Sequence, residues 1–168
     1  NMPSVVFQTA FTPCELYSGG GEKMEFLISA NPGEPPKPLS KIASGGELSR
    51  IMLAIISVLT KVNPVATLIF DEIDVGISGR TAQKVSEKMA YIAKDHQVIC
   101  ITHLAQIAAM ADSHYLIQKS SDDGKTATSV ELLNAESRID ELARIVGGVS
   151  VTDLTRQNAR EMLEMARE

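Results

Sequence analysis

There is no tryptophan in this 168-residue chain, aromatic residues make up only 4% of it, and cysteine occurs twice, as Cys14 and Cys100. Two distant cysteines cannot staple a small fold, so the scaffold has to rest on a hydrophobic core, and a reducing compartment is the simpler setting. No apolar run approaches the roughly 18 residues that cross a membrane, and no basic-then-apolar leader opens the chain. The expected location is the cytoplasm. Positive charge is also in short supply: 16 Lys and Arg against 21 Asp and Glu leave a net charge of −5. That balance argues against a broad basic nucleic-acid surface on this piece. Finally, no stretch has the G-x-x-x-x-G-K-[ST] spacing whose backbone amides cradle nucleotide phosphates.

What is present suffices for one substantial core. Hydrophobic residues make up 44% and charged residues 22%, and a chain of this length can bury about 70% of its unfolded surface. Residues 5–9 and 24–30 are β-prone and flank Gly19-Gly20-Gly21, a turn signal that predicts a hairpin. Residues 31–38 hold four prolines and a glycine, which predicts an extended loop. Leu48, Ile51, Met52, Ile55 and Leu59 keep helical spacing until Asn63-Pro64 closes the segment. Thr67-Leu68-Ile69-Phe70 is a continuous apolar run, as expected of a strand covered on both faces.

A helix marked by Ala82, Val85, Met89, Ile92 and Ala93 follows, then a second buried strand over 97–101 that includes Cys100. These pieces form a β-α-β unit, whose strands should be parallel with a right-handed crossover. Residues 104–110 predict a short helix, and 113–119 with 126–133 a hairpin turning at Asp122-Asp123-Gly124. Two helices close the chain. The first turns Ile139, Leu142, Ala143 and Val146 inward and stops at Gly147-Gly148; the second turns Val151, Leu154, Met162 and Met165 inward. The expected class is α/β, with a mostly parallel sheet flanked by helices plus β-hairpins.

Three short motifs carry chemistry. Ser44-Gly45-Gly46-Glu47 has the form of a capping box, an arrangement worth roughly 0.5–2 kcal/mol. A cap does not account for the two glycines, each of which costs roughly 1 kcal/mol against alanine in a first helical turn. Bare glycines let a ligand approach the backbone, and a helix N-terminus suits an anion such as the γ-phosphate of ATP. Asp71-Glu72 can be read as a strand end turning to solvent. In the chemical reading Asp71 helps hold Mg²⁺ through water, and Glu72 acts on an attacking water as general base or positioning group. Ligands gather beyond the C-terminal ends of parallel strands, which favours the second reading. Asp74 is a third acid nearby and is not assigned to the metal. His103 follows the 97–101 strand and should emerge at the same sheet edge, where its imidazole would bond the γ-phosphate or orient the water. His96 and His114 lack such a context and read as surface or packing residues.

In this order and at this spacing, Ala43 to Arg50, Thr67 to Glu72 and Ile101 to His103 resemble the C-terminal half of an ABC-type ATPase head. The longer runs 26–34, 42–50, 70–79 and 97–106 are similar to the RecN family of bacterial DNA repair proteins, relatives of the structural-maintenance-of-chromosomes (SMC) proteins, from about residue 24 to the end. The resemblance implies a partial P-loop NTPase head without its Walker A half, in a parent that hydrolyses ATP with Mg²⁺ during recombinational repair of double-strand breaks. The fragment alone should then be inactive. Ser44, Gly45, Gly46 and Glu47 take the place of the signature motif that contacts nucleotide on an opposite head. Asp71 and Glu72 take that of the Walker B pair, and His103 that of the switch histidine. Residues 76–79 occupy the D-loop place, with Ser78 where many ABC proteins have aspartate; Ala43 replaces the leucine usual before the signature serine.

The partners implied are the N-terminal Walker A lobe and coiled coil of the same parent chain, a second head as homodimer, and DNA through the whole protein, with no membrane and with nucleoid association. Residues 1–38 would be a hairpin and proline-rich lead-in, 39–133 the motif-bearing core, and 134–168 the closing helices. Two alternatives use the same residues. One is a non-catalytic scaffold half-head, which the retained Asp71, Glu72 and His103 count against; the other is a transporter's nucleotide-binding subunit, which Ser78 and the 31–50 run disfavour.

Overall fold

The computed structural model describes residues 5–29, 33–41, 45–59, 65–122, 125–148 and 150–166. The chain opens with a long antiparallel hairpin, β1 (Val6–Tyr17) and β2 (Gly20–Ser29), edged by the two-residue β3 (Lys37–Pro38). Both long strands outrun the β-prone runs 5–9 and 24–30. The register holds from Val6↔Ser29 to Pro13↔Glu22 and shifts between Pro13 and Tyr17. An irregularity there fits Pro13, which has no amide hydrogen for the ladder. Gly20, at φ +124°, takes a backbone conformation that other residues rarely adopt.

Helix α1 (Gly45–Leu59) leads to β4 (Thr67–Phe70), α2 (Gly79–Ile92) and β5 (Gln97–Cys100). The two strands pair in parallel, Thr67↔Gln97 through Phe70↔Cys100, as the β-α-β spacing predicted. One core forms on the inner side, where Leu53, Leu68, Phe70, Ile73, Val85, Met89, Ile92 and Ile107 are buried together. The expectation that β4 is covered on both faces is not met: Leu68 and Phe70 are buried, whereas Ile69 is 68% exposed. β5 behaves likewise, with Ile99 exposed and Cys100 only half-buried. An α1 that is apolar nearly all round shows the same imbalance, since Ile51 and Leu53 are buried but Leu48, Met52 and Leu59 are not. The apolar run reports hydrophobicity on both sides, and among the described residues only one side has a covering layer.

A short α3 (Ala105–Ala109) precedes a second hairpin, β6 (Tyr115–Asp122) with β7 (Lys125–Leu132); the predicted turn residues Asp123 and Gly124 lie outside the described residues. Helices α4 (Ala135–Gly147) and α5 (Asp153–Met165) end the chain. They share a second core with α3 made of Ala105, Ala108, Ala109, Leu142, Ala143 and Ala159, with Ile139 and Met162 packed on it. Val146, Val151, Leu154 and Met165, expected inward, are exposed. On α5 the inward stripe is Thr155, Ala159 and Met162, at i, i+4 and i+7. Its small residues let the helices close up: a Cβ on Gly147 would lie 2.9 Å from the Thr155 methyl. Gly148, at φ +66°, donates its amide to the Arg144 carbonyl (2.8 Å) and ends α4 in the left-handed region that glycine tolerates. From α4, Arg138 reaches back to the end of α3, donating to the carbonyls of Ala108 (3.1 Å), Ala109 (2.9 Å) and Ala111. Two of these carbonyls belong to the last turn of α3, where intrahelical partners run out, and the third lies just past its end.

Candidate functional site

The parallel pairing of β4 and β5 sends both chain segments off one edge. Phe70 stands opposite Cys100, and Ile101 donates its amide to the Phe70 carbonyl at 3.0 Å. Asp71-Glu72 and Thr102-His103 therefore leave the sheet side by side, as the strand periods predicted. Both carboxylates are exposed. The Glu72 amide donates to Asp71 Oδ1 at 2.9 Å, leaving Oδ2 of that carboxylate as its remaining oxygen. Among the described residues Glu72 is the only non-glycine at positive φ, +57°. That conformation costs about 1–3 kcal/mol in a non-glycine residue and persists only where its surroundings over-determine it.

Those surroundings can be named. Ser49 Oγ on α1 donates to the Asp71 carbonyl at 3.0 Å, and Arg50 Nη1 donates to the carbonyls of Ile73 (3.2 Å) and Val75 (2.8 Å). The loop closes on itself through Val75 N to the Glu72 carbonyl (3.2 Å) and Ile77 N to the Asp74 carbonyl (3.3 Å). The two glycines of α1 pack into this arrangement. A Cβ on Gly45 would lie 2.6 Å from Glu72 Oε2, and one on Gly46 would lie 2.9 Å from the Glu72 carbonyl oxygen and 3.0 Å from that of Val75. What approaches the bare backbone here is the chain's own acid loop, where the sequence suggested a ligand. Ser44 lies outside the described residues, and with it the capping box; Glu47 is exposed in the first turn of α1. Ser78 is the N-cap of α2 and exposed; its hydroxyl makes no capping bond.

Asp74, left unassigned by the sequence, is 2% exposed, the most deeply buried acid among the described residues. Its Oδ2 accepts from Thr102 Oγ1 at 2.6 Å and from the His103 amide at 2.8 Å, and lies 2.9 Å from His103 Nδ1. Burial alone would raise its pKa, but the Thr102 hydroxyl, the His103 amide and the nearby imidazole together hold it below the ordinary carboxylate value. The His103 ring stays 69% exposed. Ser49, Arg50, Asp74 and Thr102 were missed because their partners lie 22 to 29 residues away, beyond any local spacing rule. His96 Nδ1 lies 2.7 Å from the Val65 carbonyl, and His114 is half-buried with its pKa lowered by burial and by Arg138, in keeping with packing roles for both.

No cluster of three or more His, Cys, Asp or Glu side chains suited to a metal occurs among the described residues. Asp71 is an exposed oxygen donor and fits a hydrated Mg²⁺ as one ligand, the others having to come from water, nucleotide or protein outside the described residues. No helix among the described residues is long and apolar enough to cross a membrane.

No family model matches the chain. Relatives do. RecN of Bacillus subtilis (strain 168) is 50% identical over 154 residues, 92% of this chain and 27% of that protein. RecN of Treponema pallidum is 51% identical over 144 residues, 86% of this chain and 25% of that protein, and RecN of Streptomyces coelicolor is 41% identical over 148 residues, 88% and 26%. The chain thus spans about a quarter of the length of these curated relatives, each described as a DNA repair protein. Among solved structures, the Smc head domain with coiled coil and joint from Pyrococcus yayanosii matches with a TM-score of 0.58 at 23% identity, over 99% of this chain and 27% of that one. An Smc head bound to the C-winged helix domain of ScpA matches with a TM-score of 0.52 at 26% identity, over 79% and 39%. These likenesses agree with the partial ABC-type head expected from the motifs. The chain has the α/β fold of part of an SMC head and is a homologue of RecN over about a quarter of that protein's length.

Proposed function

We propose that this chain is the signature-bearing and acid-bearing half of an ATPase head in a RecN-type repair protein, completed by a Walker A lobe elsewhere in the same parent. The observation that carries the reading is the shared edge: paired parallel strands deliver Asp71-Glu72 and Thr102-His103 side by side, with the start of α1 packed against them. Glu72 accepts a proton from water as the water oxygen bonds the γ-phosphorus and the bond to the bridging oxygen breaks, giving ADP and phosphate. Asp71 holds the hydrated Mg²⁺, which supplies charge neutralisation at the phosphates when bound. His103 orients the water or contacts the γ-phosphate. Ser44, Gly45, Gly46 and Glu47 address the nucleotide held by a second head, with Ser78 at the neighbouring loop, so ATP joins two heads and its hydrolysis releases them.

In the isolated chain Gly45 sits against Glu72, two groups that this reading assigns to different nucleotides. Assembly of the full head is therefore expected to re-aim the Glu72 side chain. Residues 1–38, 39–133 and 134–168 would serve as lead-in, motif core and closing helices, in a cytoplasmic, nucleoid-associated parent whose coiled coil and DNA contacts lie elsewhere. The chain by itself should not turn over ATP.

The test is ATP turnover by the full-length parent, wild type beside Glu72→Gln, with this chain alone as control. Turnover in the wild type only supports the reading; equal rates in both parents would remove Glu72 from the chemical step. Ser44→Arg in the parent should abolish ATP-dependent dimerisation by sedimentation, and an unchanged dimer would refute the signature role.

A further inference from the structure

The unused group with the most telling surroundings is Asp74. A carboxylate buried to 2% exposure is costly unless it is paired, and the interactions that surround Oδ2 all come from two consecutive residues, Thr102 and His103. These contacts do different things. The Thr102 hydroxyl and the His103 amide fix the backbone where it leaves β5; Leu104 N adds a further bond to Thr102 Oγ1 at 3.1 Å. The approach of Nδ1 to 2.9 Å fixes the ring itself. The carbonyls on either side of Asp74, those of Ile73 and Val75, are held by Arg50, so the carboxylate is aimed from a backbone pinned on its far side.

We propose that Asp74 is a positioning residue that acts through His103: it keeps the imidazole proton on Nδ1 and presents Nε2, on the opposite edge of the ring, to the nucleotide side. This role rests on the function proposed above. A carboxylate accepts but does not donate, so the neutral imidazole beside it carries its hydrogen on Nδ1. Nε2 is then an acceptor. In that state His103 can take a hydrogen bond from the attacking water and has nothing to donate to a phosphate oxygen; donation from Nε2 requires the imidazolium. Of the two roles open to His103, the neutral ring is thereby limited to orienting water. An amide in place of the carboxylate can donate as well as accept, and the preference for one tautomer weakens.

Two measurements test this. In this chain, nitrogen-15 shifts of the His103 ring, read where the imidazole is neutral, should show hydrogen on Nδ1 in the wild type and a mixture in Asp74→Asn. A wild-type ring protonated on Nε2 would overturn the proposal whether or not any variant folds. In the full-length parent, Asp74→Asn should lower kcat at least about 10-fold, the lower end of the loss when the carboxylate partner of a metal-bound histidine is removed and well below the roughly 10⁴-fold loss in a catalytic triad, while KM for ATP changes less than about two-fold. Asp74→Asn combined with His103→Ala should be no slower than His103→Ala alone, because one residue acts through the other. Multiplying losses, or wild-type turnover in Asp74→Asn, would overturn the positioning role. A wild-type parent without ATP turnover would sink the proposed function, and the ring shifts would still show whether Asp74 sets the tautomer.

Discussion

The two cores of this molecule are finished to different degrees. Where α3, α4 and α5 meet, Leu142, Ala143 and Ala159 are fully buried, and the helices close to the distance that a glycine at 147 permits. Where β4 and β5 pair, one face is packed and the other carries Ile69, Ile99 and Ile101 at 68%, 45% and 51% exposure. An open apolar groove of about 280 Å³ between α1 and β4, lined by Leu48, Met52, Ile56 and Ile69 among others, continues that face. The first is closed over those side chains, although Val146, Val151, Leu154 and Met165 on its outer side stay exposed. The second has the composition of a two-sided sheet and the cover of a one-sided one, which is what a head divided between two stretches of a longer chain would leave.

The sharpest way to break this contrast is to truncate one residue on each side. Leu142→Ala should cost about 2–5 kcal/mol in urea titrations of this chain, whereas Ile69→Thr should stay within about 0.5 kcal/mol. Equal costs would erase the distinction. In the full-length parent Ile69→Thr should instead cost about 1–3 kcal/mol if a second layer covers it. Gly46→Ala tests the polar side of the same core: its methyl would meet carbonyl oxygens at 2.9 and 3.0 Å, a loss of about 1–3 kcal/mol by the same titration.

A smaller effect concerns acid. Because the folded-state pKa of Asp74 is lowered from 3.8, its ionised form adds stability that is complete above the unfolded value and is lost as pH falls through the folded one. Asp74→Asn should flatten the stability curve in that acid window. Least perturbing is a labelling count. Burial, with the charges of Asp74 and Asp71 behind it, pushes the Cys100 thiol up to about 12, while Cys14 is exposed. Iodoacetamide at about pH 8 should modify Cys14 and spare Cys100, since the thiolate is the reactive form; two labels per native chain by mass spectrometry would contradict the raised pKa of the Cys100 thiol.

Much of the architecture was legible because periodicity and punctuation are local. The β-α-β unit, both hairpins, the Gly147-Gly148 stop and the joint exit of Asp71-Glu72 and His103 all follow from spacing. What escaped depends on neighbours distant in sequence. Leu154 and Met165 are as apolar as Met162, yet α5 turns Thr155 and Ala159 inward, with Thr155 close against Gly147. Asp74 reads from the sequence as a third acid with no assigned role, because Thr102 and His103, which surround it, lie 28 and 29 residues on. The bare backbone of Gly46 also has a reason inside the fold, since a Cβ there would meet the Glu72 and Val75 carbonyl oxygens. Hydrophobicity also says nothing about whether the covering layer is in the same stretch of chain, so Ile69 reads as buried from the sequence alone and is exposed in the fold.

Arg138 gives the closing helices a part in the behaviour of the edge. Its guanidinium grips the far end of α3, a five-residue helix whose N-cap, Leu104, directly follows His103. So short a helix has little stability of its own, and it works as a strut only while both ends are held. A chain cut before Asn134 would lose that grip together with the packing of Leu142, Ala143 and Ala159, and α3 would then be held at one end only, by Ile107 and Leu104 in the sheet core beside the Asp74 contacts of His103.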